Sequence, residues 1–247
     1  MRLPAERAEE ARAAMIELFP EGFEERAAGQ LLELAAYTDR ADATTLLGRL
    51  GAVVETPVAS GWEDAWRRFH RPVRVGPLWI GPSWEAPPAG ATAIVLDPGR
   101  AFGTGSHPTT RLCLELLLEL ERGGLVDVGC GSGVLAVAAA KLGFAPVVAL
   151  DEDETAAEVA RAAAAANGVE IEVRLADALA EPLPRVETAV ANIAREPVER
   201  IAERFAGRLV IASGYLVAER PTPSGWEAVE RREAEGWAAD LLARPPG

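Results

Sequence analysis

Three glycines at alternate positions, Gly129, Gly131 and Gly133, separate the apolar run Leu125-Val126-Asp127-Val128 from the apolar stretch Val134 to Leu142. A buried strand, a glycine turn and a helix start are what this order predicts. Such a turn lets backbone approach a nucleotide-like ligand closely, and the helix beyond it offers free N–H groups. The spacing is not the G-x-G-x-x-G of dinucleotide enzymes, because Val134 stands where that pattern has its third glycine. That disfavours a nicotinamide oxidoreductase. Asp127 precedes the first glycine, and Asp151 ends the next apolar run, Val147-Val148-Ala149-Leu150. A ligand with a ribose and an amino group but no pyrophosphate fits these acids, which points to S-adenosylmethionine. Asp127 is then expected to face the amino group of the methionine part, and Asp151 the ribose hydroxyls.

Further polar residues recur at the ends of apolar runs. Asp177 follows Glu170 to Leu175, and Asn192 follows Val186 to Ala191. In a sheet of parallel strands, ligands gather at the strand C-termini. Four polar residues at four successive ends are therefore read as one site. Upstream, Asp97 to Thr110 is dense in glycine and hydroxyl residues, including Thr104 and Thr110. Such a loop supplies donors and acceptors that can cover a ligand. A helix from Arg111 to Leu120 follows, with Thr109 as its expected N-cap. His107 alone reads as a structural histidine.

The elements that must position these residues follow from periodicity and breakers. From residue 124 onward strand and helix patterns alternate, which predicts an α/β fold with a doubly wound, Rossmann-like parallel sheet. Glu154 to Asn167 is an alanine-rich helix stopped at Gly168, and a helix is expected around Pro197 to Phe205. Trp226 to Arg232 and Trp237 to Arg244 form a closing antiparallel hairpin around Glu235-Gly236. Residues 1–60 carry two helix patterns, Ala5 to Phe19 and Ala43 to Leu50, among short strand patterns at Met1-Arg2-Leu3, Phe23 to Ala27, Gln30 to Tyr37 and Ala52 to Thr56. The order βαββαβ is that of a ferredoxin-like α+β domain. The expected division is 1–60, a small N-terminal domain; 61–91, a linker with a short aromatic helix and a hairpin from Val73 to Ile80; and 92–247, the large domain. Trp62, Trp66, Trp79 and Trp84 read as packing between domains rather than as a base-stacking platform.

The chain has 247 residues, a formal charge of −13 and two cysteines, Cys113 and Cys130. An acidic balance argues against general nucleic-acid binding and suits a basic partner. Residues 1–60 hold six arginines against eleven acids, read either as a solvated surface or as a docking surface for a basic protein. The cysteines suggest neither a disulfide nor a metal site, and two histidines are too few for a histidine-rich centre. No apolar run reaches membrane-spanning length, and the N-terminus lacks the apolar core of a signal peptide. Cytoplasmic location is the expectation, with no metal and no direct nucleic-acid or membrane partner.

Together the motifs resemble the ribosomal-protein methyltransferase family of PrmA type, which methylates the large-subunit ribosomal protein L-eleven. The resemblance is carried by Ala101-Phe102-Gly103-Thr104-Gly105-Ser106-His107-Pro108-Thr109-Thr110, by Asp127 to Ala136 and by Val190-Ala191-Asn192-Ile193. It implies a class I methyltransferase sheet, S-adenosyl-L-methionine as cofactor, and methylated lysine side chains and N-terminal α-amine as products. It also implies that the small N-terminal domain recruits the ribosomal protein. Thr110, Gly129, Asp151 and Asn192 match its cofactor positions; Thr104, Asp127, Gly131 and Asp177 complete the expected set. Asn192 is expected to position the acceptor as well, with no dedicated base and a monomeric chain. Two departures stand out: Ala194 replaces a larger apolar residue, and the segment after Tyr215, with Pro221, Pro223 and Gly225, is shorter than the usual helix. The first bears on the acceptor pocket; the second leaves one sheet face thinly covered or the chain associated with another. The alternatives are a methyltransferase of the same fold for another protein or a small molecule, and a non-catalytic module that keeps the cofactor pocket. Asn192-Ile193-Ala194-Arg195 is not the Asn-Pro-Pro-Tyr run of adenine or glutamine methyltransferases.

Overall fold

A computed structural model describes residues 2–4, 7, 11, 24–28, 31–35, 71–97 and 105–245. The chain divides into two compact units, Met1–Ala65 and Trp66–Gly247. In the first unit, strands β1 (Arg2–Pro4), β2 (Glu24–Ala28) and β3 (Leu31–Ala35) form an antiparallel sheet in the order β1-β3-β2. A ferredoxin-like domain arranges its first three strands in this way. Leu3, Ala11 and Leu34 are buried. The expected strand at 52–56 and the helices at 43–50 and 61–70 lie outside the described residues, as do Trp62 and Trp66. The expected helix at 5–19 is described only at Arg7 and Ala11.

The second unit begins with a small sheet. Strands β4 (Val73–Val75) and β5 (Leu78–Gly81) form the expected hairpin, and β6 (Thr92–Val95) pairs parallel to β5. Hairpin and strand thus make one sheet across residue 91. Asn167, at the far end of a helix 72 residues away, binds β6 as a strand would. Its Oδ1 accepts the Val95 N–H at 2.8 Å and its Nδ2 donates to the Val95 carbonyl at 2.7 Å.

The main sheet has seven strands: β7 (Leu125–Val128), β8 (Val147–Asp151), β9 (Glu172–Leu175), β10 (Thr188–Asn192), β11 (Leu209–Leu216), β12 (Glu227–Ala234) and β13 (Trp237–Ala243). Their order is β12-β13-β11-β10-β7-β8-β9, with β9, β8, β7, β10 and β11 mutually parallel, β13 antiparallel to β11, and β12 antiparallel to β13. The chain order reverses between β7 and β10. Helices α1 (Pro108–Glu119), α2 (Val134–Leu142) and α3 (Glu154–Asn167) cover one face, and α4 (Arg195–Arg204) covers the other. Strand alternation divides the side chains between two cores. Leu125 packs with Leu112, Val137 and Ala160, whereas Val126 and Val128 pack with Val198, Ile201 and Phe205.

The N-cap of α1 differs from expectation. His107, not Thr109, occupies it, and Pro108 takes the first helical position. Proline costs nothing there, because its missing N–H would have had no intrahelical partner. His107 Nδ1 accepts the Thr109 N–H at 3.3 Å.

The shortened segment 217–226 contains no helix, yet it covers the α4 side of the sheet. Pro221, Pro223 and Trp226 are buried. Glu199 and Glu203 of α4 accept the Thr222 and Ser224 N–H groups at 2.9 and 3.1 Å. The Trp226 indole donates to the Ala202 carbonyl at 2.9 Å, stacks on Phe205 and lies under the Arg244 guanidinium. An irregular strap thus does the work of a helix, with one tryptophan as its anchor. Trp226→Ala should therefore destabilise the chain by about 3–5 kcal/mol, read from urea unfolding. A loss under about 1 kcal/mol, as at an ordinary surface site, would show that the strap does not close this core.

Candidate active site

The polar residues predicted at the strand ends converge. A cavity of about 580 Å³ opens at the C-terminal ends of the parallel strands, lined among others by Thr110, Gly129, Gly131, Asp151, Asp177 and Asn192. It lies where the strand order reverses, the place at which open α/β sheets bind ligands. Its volume is in the range of small-molecule sites, roughly 300–1,000 Å³. Val134, Leu135, Leu150, Leu179, Pro197 and Ile201 supply apolar wall. Thr104 lies outside the described residues.

The glycine turn presents backbone to this cavity. Gly129 has φ +68°, and a Cβ there would lie 2.5 Å from Ile193 Cγ2. Only glycine fits both the backbone angle and that approach. The turn is tied to the next strand by Asp151, the last residue of β8. One carboxylate oxygen accepts the Gly131 N–H at 2.8 Å and the other accepts the Asp153 N–H at 3.0 Å. Each oxygen keeps a further lone-pair site. Asp151 is thereby held rigidly with acceptor capacity to spare for vicinal hydroxyls. Asp153 in turn caps α3 by accepting the Thr155 N–H at 2.8 Å.

Asp127 sits differently from the other acids. It lies within β7 and points to the α2 side, where it is 1% exposed and does not line the cavity. Its Oδ2 accepts the Ala136 N–H, in the first turn of α2, at 3.0 Å. Its Oδ1 is buried with no hydrogen-bond partner among the described residues. Burial pushes its carboxyl up to about 7; the Ala136 N–H opposes this and the charge on Asp151 adds to it. Burial also holds the Cys130 thiol above its ordinary range, so it is a protonated wall residue rather than a nucleophile.

Asn192 ends β10, and its Nδ2 lies 3.4 Å from Thr110 Oγ1 at the start of α1. That contact directs its amide N–H toward Thr110 and leaves its carbonyl oxygen as an acceptor. Asp177 is two residues past β9, where its Oδ1 accepts the Leu179 N–H at 2.7 Å and shapes the turn lining the cavity. Arg204, at the end of α4, donates to the carbonyls of Ala178 and Glu181 at 2.6 and 2.8 Å and holds that turn from behind. Sequence reasoning missed Arg204, Ile193 and the apolar wall from α4. An arginine in the last helical turn has a local explanation in the helix dipole, so nothing local marks it as a loop support.

The Asp127 geometry has a measurable consequence. Its ordinary value is 3.8 and its folded value is about 7. Between these values the native state binds the proton that the unfolded state releases, so stability falls as pH rises through the window and levels off above it. Asp127→Asn removes this contribution. The melting temperature of the variant, relative to the parent chain, should be higher at pH 8 than at pH 5. A difference independent of pH would show that this carboxyl does not titrate with folding.

The comparisons with known proteins agree with this geometry. The family model described as ribosomal protein L11 methyltransferase (PrmA) matches residues 6–242. The ribosomal protein L11 methyltransferase of Symbiobacterium thermophilum is 45% identical over 202 residues, covering 74% of this chain and 66% of that protein. That of Neisseria gonorrhoeae is 39% identical over 224 residues, covering 85% and 75%, and that of Nitrosococcus oceani is 44% identical over 160 residues, covering 63% and 54%. The matches thus span about half to three quarters of these relatives. The crystal structure of a ribosomal protein L11 methylase from Lactobacillus delbrueckii subsp. bulgaricus superposes with a TM-score of 0.63 at 29% identity, covering 71% of this chain and 99% of that one. With a class I methyltransferase sheet, a cavity at its switch point and a family match along nearly its whole length, the chain belongs to the ribosomal protein L11 methyltransferase (PrmA) family.

Proposed function

We propose that this protein transfers methyl groups from S-adenosylmethionine to amino groups of ribosomal protein L11, on lysine side chains and the N-terminal α-amine. The observation that carries this reading is the family match over residues 6–242 together with a cavity that carries Asp151 and Asn192 at the ends of β8 and β10, the strands on either side of β7. The residues fit the cofactor. The backbone-held Asp151 has spare acceptor capacity for ribose hydroxyls. Asp127 does not line the cavity and burial raises its carboxyl to about 7, so it is assigned to bracing the start of α2 through the Ala136 N–H rather than to a contact with the amino group of the methionine part. Gly129 and Gly131 leave room for the chain of the ligand, Thr110 and Asp177 line its sides, and Thr104 is assigned to the covering loop.

When bound, the cofactor supplies an electrophilic methyl group on a sulfonium. The residues of this chain must present a neutral amine in line with it. A lysine has an ordinary pKa of about 10.4, so it arrives protonated. Apolar surroundings favour its neutral form, and Leu179, Pro197, Ile193 and Ile201 supply them. The Asn192 carbonyl oxygen accepts an N–H of the acceptor and fixes its approach, the Thr110 contact holding the amide in that sense. Alignment of this kind turns a bimolecular step into a local one. No residue is assigned as a base. Residues 1–60, with their excess of acids, are assigned to capture of the basic ribosomal protein; such attraction weakens with salt.

Asp151→Ala should lose charge-assisted hydrogen bonds of roughly 1.5–3 kcal/mol, so calorimetric affinity for S-adenosylmethionine should fall at least about tenfold. Unchanged affinity in a folded variant removes Asp151 from the site. Methyl transfer is tested with labelled cofactor and purified ribosomal protein L11; a full-length chain that binds cofactor but labels nothing is a binding module. A chain lacking residues 1–60 should bind the cofactor as the full chain does yet barely methylate the ribosomal protein. Methylation at the full-length rate by that shortened chain would return the acidic segment to a solvated surface.

A further inference from the structure

We propose that Gly214 is a positioning residue for the acceptor loop Asn192-Ile193, and that the buried network around it exists to hold it there. The inference rests on the role given above to Asn192. Gly214 is the extra residue of a bulge in β11. Ser213 pairs with Ala239 of β13 and Tyr215 with Ala238, which leaves Gly214 without a partner. Its φ is +97°, a backbone conformation that L side chains rarely adopt. A Cβ on Gly214 would overlap the carbonyl of Ile193 and stand 2.8 Å from its nitrogen. The obstacle is backbone, so it cannot swing aside as a side chain would. On the same stretch, the Ile193 N–H donates to the Ser213 carbonyl at 3.1 Å, and the Ile193 side chain presses on Gly129. The loop after Asn192 is thus gripped between the glycine turn of β7 and the bulge of β11.

The bulge is fixed on both flanks by buried polar groups that do not line the cavity. Ser213 Oγ donates to the Ala238 carbonyl at 2.7 Å. Tyr215, 2% exposed, has its hydroxyl 2.8 Å from the Ala212 carbonyl and 2.9 Å from Asp240 Oδ2. Asp240, 1% exposed, is paired with Arg231 at 2.7 Å. A buried ion pair adds little net stability over an apolar replacement, and its attested use is to fix one arrangement. Here the arrangement fixed is the bulge, and through it the place of Asn192. A bulge beside an active site commonly re-aims the chain in this way.

The test uses the full chain with Gly214→Ala and Tyr215→Phe, and Phe144→Leu as a control in the core behind α2, remote from the cavity. Amide NMR of the cofactor-free chain should show the Asn192 and Ile193 resonances, including the Asn192 side-chain amide, displaced in both variants. Those of Gly131, Asp151 and Asp153 should hold their positions. With cofactor and ribosomal protein, kcat should fall roughly 10²-fold for Gly214→Ala, as for a misplacement of about 1 Å, and less for Tyr215→Phe. The calorimetric Kd for S-adenosylmethionine should change far less than kcat in both, because Asp151 and the glycine turn stay in place. The control should lower the melting temperature and leave kcat alone. Undisplaced Asn192 and Ile193 resonances, or a cofactor Kd that worsens in step with kcat, overturn the proposal. A parent chain that methylates nothing sinks the functional reading instead, and the NMR comparison still decides whether Gly214 positions the loop.

Discussion

The ends of β7, β10 and β11 close on one another at two glycines, and the site depends on that close approach. Gly129 lies against Ile193 from one side and Gly214 from the other. The loop between has one path open to it. Because Asn192 ends β10 immediately before this loop, its direction is set by neighbours distant in sequence rather than by its own surroundings.

Two acids near the turn illustrate how placement decides chemistry. Asp151 is the last residue of its strand, so both oxygens meet backbone N–H groups at the cavity wall and can still accept from a ligand. Asp127 is one residue inside its strand, so alternation turns it under α2, where burial dominates and raises its carboxyl. One carboxylate faces the cavity with acceptor capacity to spare, and the other braces the first turn of α2 from below. Lengthening or shifting either strand by one residue would exchange these environments.

The covering layers serve the same end. Helix α4 walls the cavity through Pro197 and Ile201, and its last arginine supports the turn at 177–181. The strap at 217–226 fastens α4 to the sheet through Trp226 and the carboxylates of Glu199 and Glu203. Arg195 joins it by pairing with Glu199 at 2.8 Å and with Glu219 at 3.6 Å. The first turn of α4, directly after Asn192-Ile193, is therefore held by ion pairs and backbone bonds on a face that the shortened segment was expected to leave thinly covered.

Much of this was determined by the sequence alone. The glycine turn, the helices Val134–Leu142 and Glu154–Asn167, the closing hairpin and the family itself were legible because each is local: periodicity, breakers and short motifs carry them. The line of Asp151, Asp177 and Asn192 was legible too, since parallel strands must put their ends on one edge. The tertiary structure alone decided the rest. His107 rather than Thr109 caps α1, because the helix starts at Pro108 and the His107 ring nitrogen is in reach of the Thr109 N–H. Asp127 turned from the cavity, because its side is fixed by strand alternation and not by its place in a motif. Gly214 carries no mark in the sequence, and Trp226 read as the first residue of a hairpin. Their significance comes from Ile193 and from α4, partners more than twenty residues away, and no local pattern records a contact over that distance.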